Sequence, residues 1–329
     1  MDIELTRQLQ GTKRNQWLAF LAKMQLEADE QIESTVLIWD DGELIATASR
    51  QEGLLKCIAV DSTRQGEGLT ATLITQLRQD AFAHGYKHLF LYTKPENIEM
   101  FRSLFFYPIT QTDRVLLMEN QPEGIQNFLQ VLPAEPASGT VGAVVMNGNP
   151  FTKGHRYLIE TAAKDCDRLY VFVLSEDKSE FSAADRLAMA KAGTADLPNV
   201  TVLSTGPYLI SSATFPTYFL KGSDKIPEIH CLLDIQIFAQ YYAKHLHITR
   251  RYVGTEPFCR VTNRYNETLK EHLPTAGISL IEIPRISYGD TPISASDVRT
   301  RIAQKDWGCL ENLLPATTLD YIKHNHLLK

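Results

Sequence analysis

The apolar positions fall into two rhythms, divided by "LPAEPASGT" (Leu132–Thr140), whose two prolines, glycine and small residues read as a linker. Before it, "STVLIWDDGELIATAS" places two apolar runs around Asp40-Asp41-Gly42, which predicts a hairpin. "LLKCIAV" follows as a strand. Leu69, Leu73, Leu77 and Ala81 then recur at helical spacing up to Gly85. "KHLFLYT" returns to strand, and "PENIEMFRSLFF" predicts a short helix opening on a proline. After the linker, strands at "TVGAVVM", "RLYVFVL", "NVTVLST", "TRRYVG" and "SLIEIP" alternate with helices at "HRYLIETAAKD", "AADRLAMAKAG", "EIHCLLDIQIFAQYYAKHL" and "TNRYNETLKEHL". Apolar strands separated by amphipathic helices predict a doubly wound parallel sheet. The expected layout is an α/β protein: an α+β domain over 1–120, a linker over 121–138 and a Rossmann-like domain over 139–329.

Composition narrows the function. With 44% hydrophobic and 22% charged residues the chain has a globular profile, and no run approaches a membrane span. The first residues, "MDIELTRQLQ", do not read as a secretory signal. The five scattered cysteines form neither a disulfide framework nor a C-x-x-C metal pair, and suit a reducing cytoplasm. A net charge of −6 argues against a nucleic-acid partner.

The candidate chemistry lies in "MNGNPFTKGHRYLIE", just after the first strand of the second half. In an open parallel sheet, ligands bind beyond the carboxyl ends of strands. Asn147, Gly148 and Asn149 allow a tight departure from the strand, and Gly154 lets backbone pass close to a ligand. His155 falls in the first turn of the next helix, where free N–H groups and the dipole favour an anion. Thr152 can cap that helix or donate from its hydroxyl, and Lys153 adds positive charge. Read blandly, Thr152 is a cap and His155 a half-exposed helix residue. Downstream, "TPISASDVRTRI" places Ser294 and Ser296 at a helix start and Arg299 one turn on, again an anion site or an ordinary capped helix.

Thr152 to His155 resembles the (H/T)-x-G-H signature of the nucleotidyltransferase superfamily, in its threonine form, and Ile293 to Arg299 resembles its I-S-x-[ST]-x-x-R motif. The resemblance implies catalysis by His155, Lys153 and Arg299. It implies ATP binding through Asn149, Phe151, Thr152, His155, Gly254, Glu256, Ile293, Ser294, Ser296 and Arg299. Magnesium would ride on the phosphates, with no metal ligand from the protein. Glu256 could equally cap the next helix. Lys221 and Arg285 could meet phosphates or be surface charge.

In the first half, Gln65, Gly66, Glu67, Gly68, Leu69 and Thr70 resemble the Q/R-x-x-G-x-G/A loop of GNAT-type acetyltransferases, whose amides hold the pyrophosphate of coenzyme A. Thr70 departs from the usual glycine or alanine, and an ordinary glycine-rich turn explains the loop as well. "YTKPENIEMFRSLFFYPI", with Asn97, resembles that family's last helix. The resemblance implies prosthetic-group binding at Gln65, Gly66, Gly68 and Thr70.

Together with "RYVGTEPFCRVTNRYNETLKEHLP", "IEIPR" and "ISASDVR", the order of the halves resembles the citrate lyase ligase family over essentially the whole chain. That resemblance implies ATP-dependent acetylation, through acetyl-adenylate, of the thiol on a coenzyme-A-like prosthetic group carried by the acyl carrier subunit of citrate lyase. Two other readings share the motifs: a transferase similar to phosphopantetheine adenylyltransferase, and a metabolite-sensing module without turnover. No motif marks an acetate pocket.

Overall fold

A computed structural model of the chain describes residues 1–29, 31–133, 139–211, 228–256, 259–289 and 291–325. Lys221 lies outside them. The chain divides into two compact units, Met1–Gly124 and Ile125–Lys329. Among the described residues no helix is long and apolar enough to cross a membrane.

The first unit contains β1 (Asp2–Thr6), α1 (Gly11–Lys23), β2 (Ser34–Asp40), β3 (Glu43–Gln51), β4 (Leu54–Val60), α2 (Leu69–Ala83), β5 (Phe90–Thr93), α3 (Ile98–Ser103), β6 (Tyr107–Gln111) and β7 (Leu116–Glu119). Its seven-stranded sheet has the order β1-β2-β3-β4-β5-β7-β6. The predicted hairpin forms: Asp41 and Gly42 both take positive φ (48° and 82°), as a tight turn between twisted strands requires. Leu69, Leu73, Leu77 and Ala81 of α2 pack on Val36, Ile38, Ala46 and Ala48. Trp17, Phe20 and Leu21 of α1 pack on Leu37 and Ala59, a separate cluster. Period-2 alternation along β2 puts Leu37 on the sheet face opposite Val36 and Ile38, so the two helices cover different faces. Among the described residues of this unit the parallel pair, β4 with β5, is short: Leu54 faces Phe90 and Leu55 faces Leu91, and from Lys56 onward β4 pairs with β3 but no longer with β5.

The second unit contains α4 (Gly124–Gln130), which begins at the division, then β8 (Val141–Met146), α5 (Lys153–Lys164), β9 (Arg168–Val173), α6 (Ala183–Ala192) and β10 (Val200–Ser204). Next, α7 (Glu228–Ile237) runs through a π-helical stretch, Phe238–Ala243, into α8 (Lys244–Leu246). There follow β11 (Arg250–Gly254), α9 (Arg260–His272), β12 (Ser279–Ile283), the short pair β13 (Ser287–Tyr288) and β14 (Thr291–Pro292), then α10 (Ala295–Ala303), α11 (Trp307–Leu313) and α12 (Ala316–Asn325). Five parallel strands take the order β10-β9-β8-β11-β12. The chain leaves β8 toward one edge and returns beside it as β11. That reversal opens a crevice at the carboxyl ends of β8 and β11.

The segment 121–138 needs correcting as a linker. Ile125, Leu129 and Leu132 are buried, and the Phe128 ring lies 5.5 Å from that of Tyr208. These four residues recur at i, i+3, i+4 and i+7, a helical stripe that the prolines after it obscured. Residues 134–138 lie outside the described ones.

Leu129→Ala should lower unfolding stability by about 2–5 kcal/mol, the cost of emptying a core site. Urea unfolding checks this. A change within about 0.5 kcal/mol would return the segment to a surface linker.

Candidate active site

The turn out of β8 is built for a close departure, with Gly148 at φ +61° and a cis Asn149–Pro150 peptide. Arg186 of α6, fully buried, fixes it from below. Its guanidinium donates to the Asn147 carbonyl (3.0 Å) and Oδ1 (2.7 Å), and to the carbonyls of Leu174 (2.8 Å) and Phe181 (3.1 Å). The ends of β8 and β9 are thereby tied to one cation.

Thr152 and His155 then form a reciprocal cap on α5. The His155 N–H donates to Thr152 Oγ1 (3.4 Å) and the Thr152 N–H donates to His155 Nδ1 (3.1 Å). The Thr152 hydroxyl also sits 2.9 Å from Nδ1. With Nδ1 committed as acceptor, the neutral imidazole carries its proton on Nε2. Burial, and then the positive Arg285, push the His155 pKa down to about 4. At neutral pH this side chain is therefore an uncharged donor. The Phe151 ring stacks on it at 5.9 Å and 21°.

A cavity of about 480 Å³ opens at the carboxyl ends of β8 and β11. Of the expected site residues it brings together Thr152, His155, Gly254, Glu256, Ile293, Ser294, Ser296 and Arg299. Ser294 is the N-cap of α10, accepting from the Ser296 N–H (3.3 Å), with the two hydroxyls 2.7 Å apart. The first turns of α5 and α10 thus both present N-terminal amides to one space. Arg299 donates from Nη1 to the Asn149 carbonyl (2.7 Å). Glu256, the one carboxylate among the described lining residues, pairs with Arg285 Nη2 and accepts from the Cys259 N–H (3.0 Å). Glu256 borders the cavity and holds the backbone N–H of Cys259, the residue before α9, whose own cap carries no side-chain bond.

Three expected residues lie elsewhere. Phe151 is fully buried behind His155. Asn149 is buried, its side chain accepting from the Phe181 N–H (3.2 Å), so it shapes the loop. Lys153 does not line the cavity: Nζ donates to the Glu311 carbonyl near the end of α11 (2.9 Å), and its charge complements that helix terminus. Sequence reasoning missed Arg251, Tyr265 and Asn266, which also line the cavity, and left Arg285 undecided. Arg285 could have been found as a cation just past the end of a parallel strand.

In the first unit, Gly66 and Gly68 take positive φ (89° and 76°), and Gly68 is the N-cap of α2. Asn97 donates to Thr93 Oγ1 (2.9 Å) and braces the following turn.

Comparison with known proteins agrees with both halves. The family model of the citrate lyase ligase C-terminal domain matches residues 141–322, and that of the acetyltransferase (GNAT) family matches 4–105. The citrate (pro-3S)-lyase ligase of Escherichia coli (strain K12) is 41% identical over 312 residues, covering 93% of this chain and 89% of its own. That of Klebsiella pneumoniae is 40% identical over 309 residues, covering 92% and 90%. That of Haemophilus influenzae is 41% identical over 312 residues, covering 92% and 93%.

The His155 imidazole should titrate in NMR with a midpoint near pH 4 in the free protein. Because its folded pKa lies below its ordinary value of 6.5, the unfolded chain binds this proton more readily, and stability falls as pH drops from about 6.5 to 4. A midpoint at 6.5 would show that the imidazole is neither desolvated nor opposed by Arg285.

Proposed function

The chain belongs to the citrate lyase ligase family and is a ligase, and from that premise we propose that it acetylates the thiol of a coenzyme-A-like prosthetic group on the citrate lyase acyl carrier subunit, using ATP and acetate in the cytoplasm. The observation that carries the reading is the reciprocal Thr152–His155 cap, which aims a neutral imidazole donor into a cavity faced by two helix N-termini.

ATP lies with its phosphates against the first turns of α5 and α10. A carboxylate oxygen of acetate attacks the α-phosphorus while the bond from that phosphorus to the bridging oxygen breaks, and pyrophosphate leaves with the electron pair. His155 Nε2–H donates to a phosphate oxygen on which charge builds, and Arg285 and Arg299 add positive potential. Being neutral before the step, the imidazole gives up no proton. The gain comes from alignment and from a donor already in place. In the second step the carrier sulfur attacks the acetyl carbon, the carbon–oxygen bond breaks, and AMP departs with that oxygen; the thiol proton passes to solvent. Glu256 is already engaged by Arg285 and the Cys259 N–H, so magnesium would be held by the phosphates and supply charge neutralisation there.

The first unit holds the pantetheine arm of the prosthetic group. The Gln65–Thr70 loop offers amides at the N-terminus of α2, and the parting of β4 from β5 past Leu55 leaves the β4 edge open to an extended chain. Residues 1–120 serve transfer in this reading and 139–329 serve activation, with Lys153 acting on the α11 terminus rather than on ATP.

His155→Ala should lower AMP formation by roughly 10²–10³, as for loss of one preorganised donor. The Thr152 cap on the backbone of residue 155 survives this change, so the fold should persist, and a near-normal rate would refute the role. Thr70→Glu places a carboxylate where the loop would bind pyrophosphate, in the first turn of α2, where an acidic side chain suits the helix dipole. Transfer to the carrier should weaken while AMP formation from ATP and acetate with a small thiol persists; equal loss of both would count against the division of labour.

A further inference from the structure

Arg251, the second residue of β11, is only 2% exposed and lines the same cavity. Among the described residues its buried Nε and Nη1 have no hydrogen-bond partner. A buried guanidinium left in this state is costly, and such groups otherwise pair or bind ligand. Its surroundings hold it in place without satisfying it. The Phe238 ring lies beneath the guanidinium at 4.2 Å. Asp234, the nearby carboxylate, is buried and already accepts from the Ile210 N–H (2.6 Å) and the Tyr265 hydroxyl. Ile210 and Tyr265 both line the cavity and give it apolar surface near Asp234 and Arg251.

On the reading given under Proposed function, we propose that Arg251 binds the carboxylate of the acid substrate. A planar forked guanidinium matches the two oxygens of one carboxylate and neutralises a single charge. The polyanionic phosphates have their own donors at His155, Ser294, Ser296 and the two helix N-termini. A short alkyl group suits the apolar flank that Ile210 and Tyr265 provide. Arg251 orients the acid and takes no proton. One carboxylate oxygen forms the bond to the α-phosphorus as the bond to pyrophosphate breaks.

The test uses the full chain as wild type, Arg251→Gln and Arg251→Lys. ATP–pyrophosphate exchange is followed against acetate concentration, and ATP binding is measured by calorimetry without acetate. The KM for acetate should rise about tenfold or more in both variants, as for a lost charge-assisted pair, with ATP affinity retained. Retained ATP binding also reports that the variant is folded; if the glutamine variant is not, the lysine variant, which keeps charge but loses the fork, decides. An unchanged acetate KM overturns the assignment. So does weakened ATP binding at unchanged acetate KM, which would give Arg251 to a phosphate. Wild-type protein that binds ATP without acetate-dependent exchange would overturn the proposed function and this assignment with it, whereas a failure confined to the variants touches the assignment alone.

Discussion

Thr152 and His155 hold each other across one helical turn, and the chemistry of the cavity depends on that pair of bonds. The backbone N–H of Thr152 occupies Nδ1, so a single contact fixes both the orientation of the imidazole and the location of its proton. The rest of the loop keeps the turn in register. Phe151 stacks behind the ring, Arg186 gathers the carbonyls at the ends of β8 and β9, and Arg299 reaches back to the Asn149 carbonyl. The proposed reaction works by alignment and needs this kind of support, because small displacements of a donor are costly in rate.

The cavity is electrostatically one-sided. Arg251, Arg285 and Arg299 line it with two helix N-termini, against the single carboxylate of Glu256 among the described lining residues. This local field coexists with a net charge of −6 for the whole chain, which says little about a pocket of this size. Burial is the main reason that His155 stays neutral, and Arg285 adds repulsion to the already desolvated ring.

Much of this was legible in the sequence, for physical reasons. Buried parallel strands are continuous apolar runs, so all five strands of the second unit and the helices between them stood out. The T-x-G-H loop and the serine-capped α10 were visible because both sit where capping and anion binding coincide. The remainder was hidden by local ambiguity. Arg250 and Arg251 are adjacent basic residues that no motif singles out, yet period-2 alternation puts Arg251 on the same buried face as Val253. Lys153 neighbours His155 in sequence but leaves the helix in another direction, toward Glu311. Strands β1 and β6 mix polar with apolar residues (DIELT, YPITQ) and lack the continuous apolar run that marks a buried strand, and β7 carries only Leu116, Leu117 and Met118 before its acidic end.

The central claim is that a carboxylate oxygen attacks the α-phosphorus at the His155 site. It is tested most directly by supplying acetate labelled with oxygen-18 in both carboxylate positions, together with ATP and the thiol carrier, and analysing the products by mass spectrometry. The account predicts one labelled oxygen in AMP and none in pyrophosphate. Label in inorganic phosphate, with ADP as the nucleotide product, would contradict it.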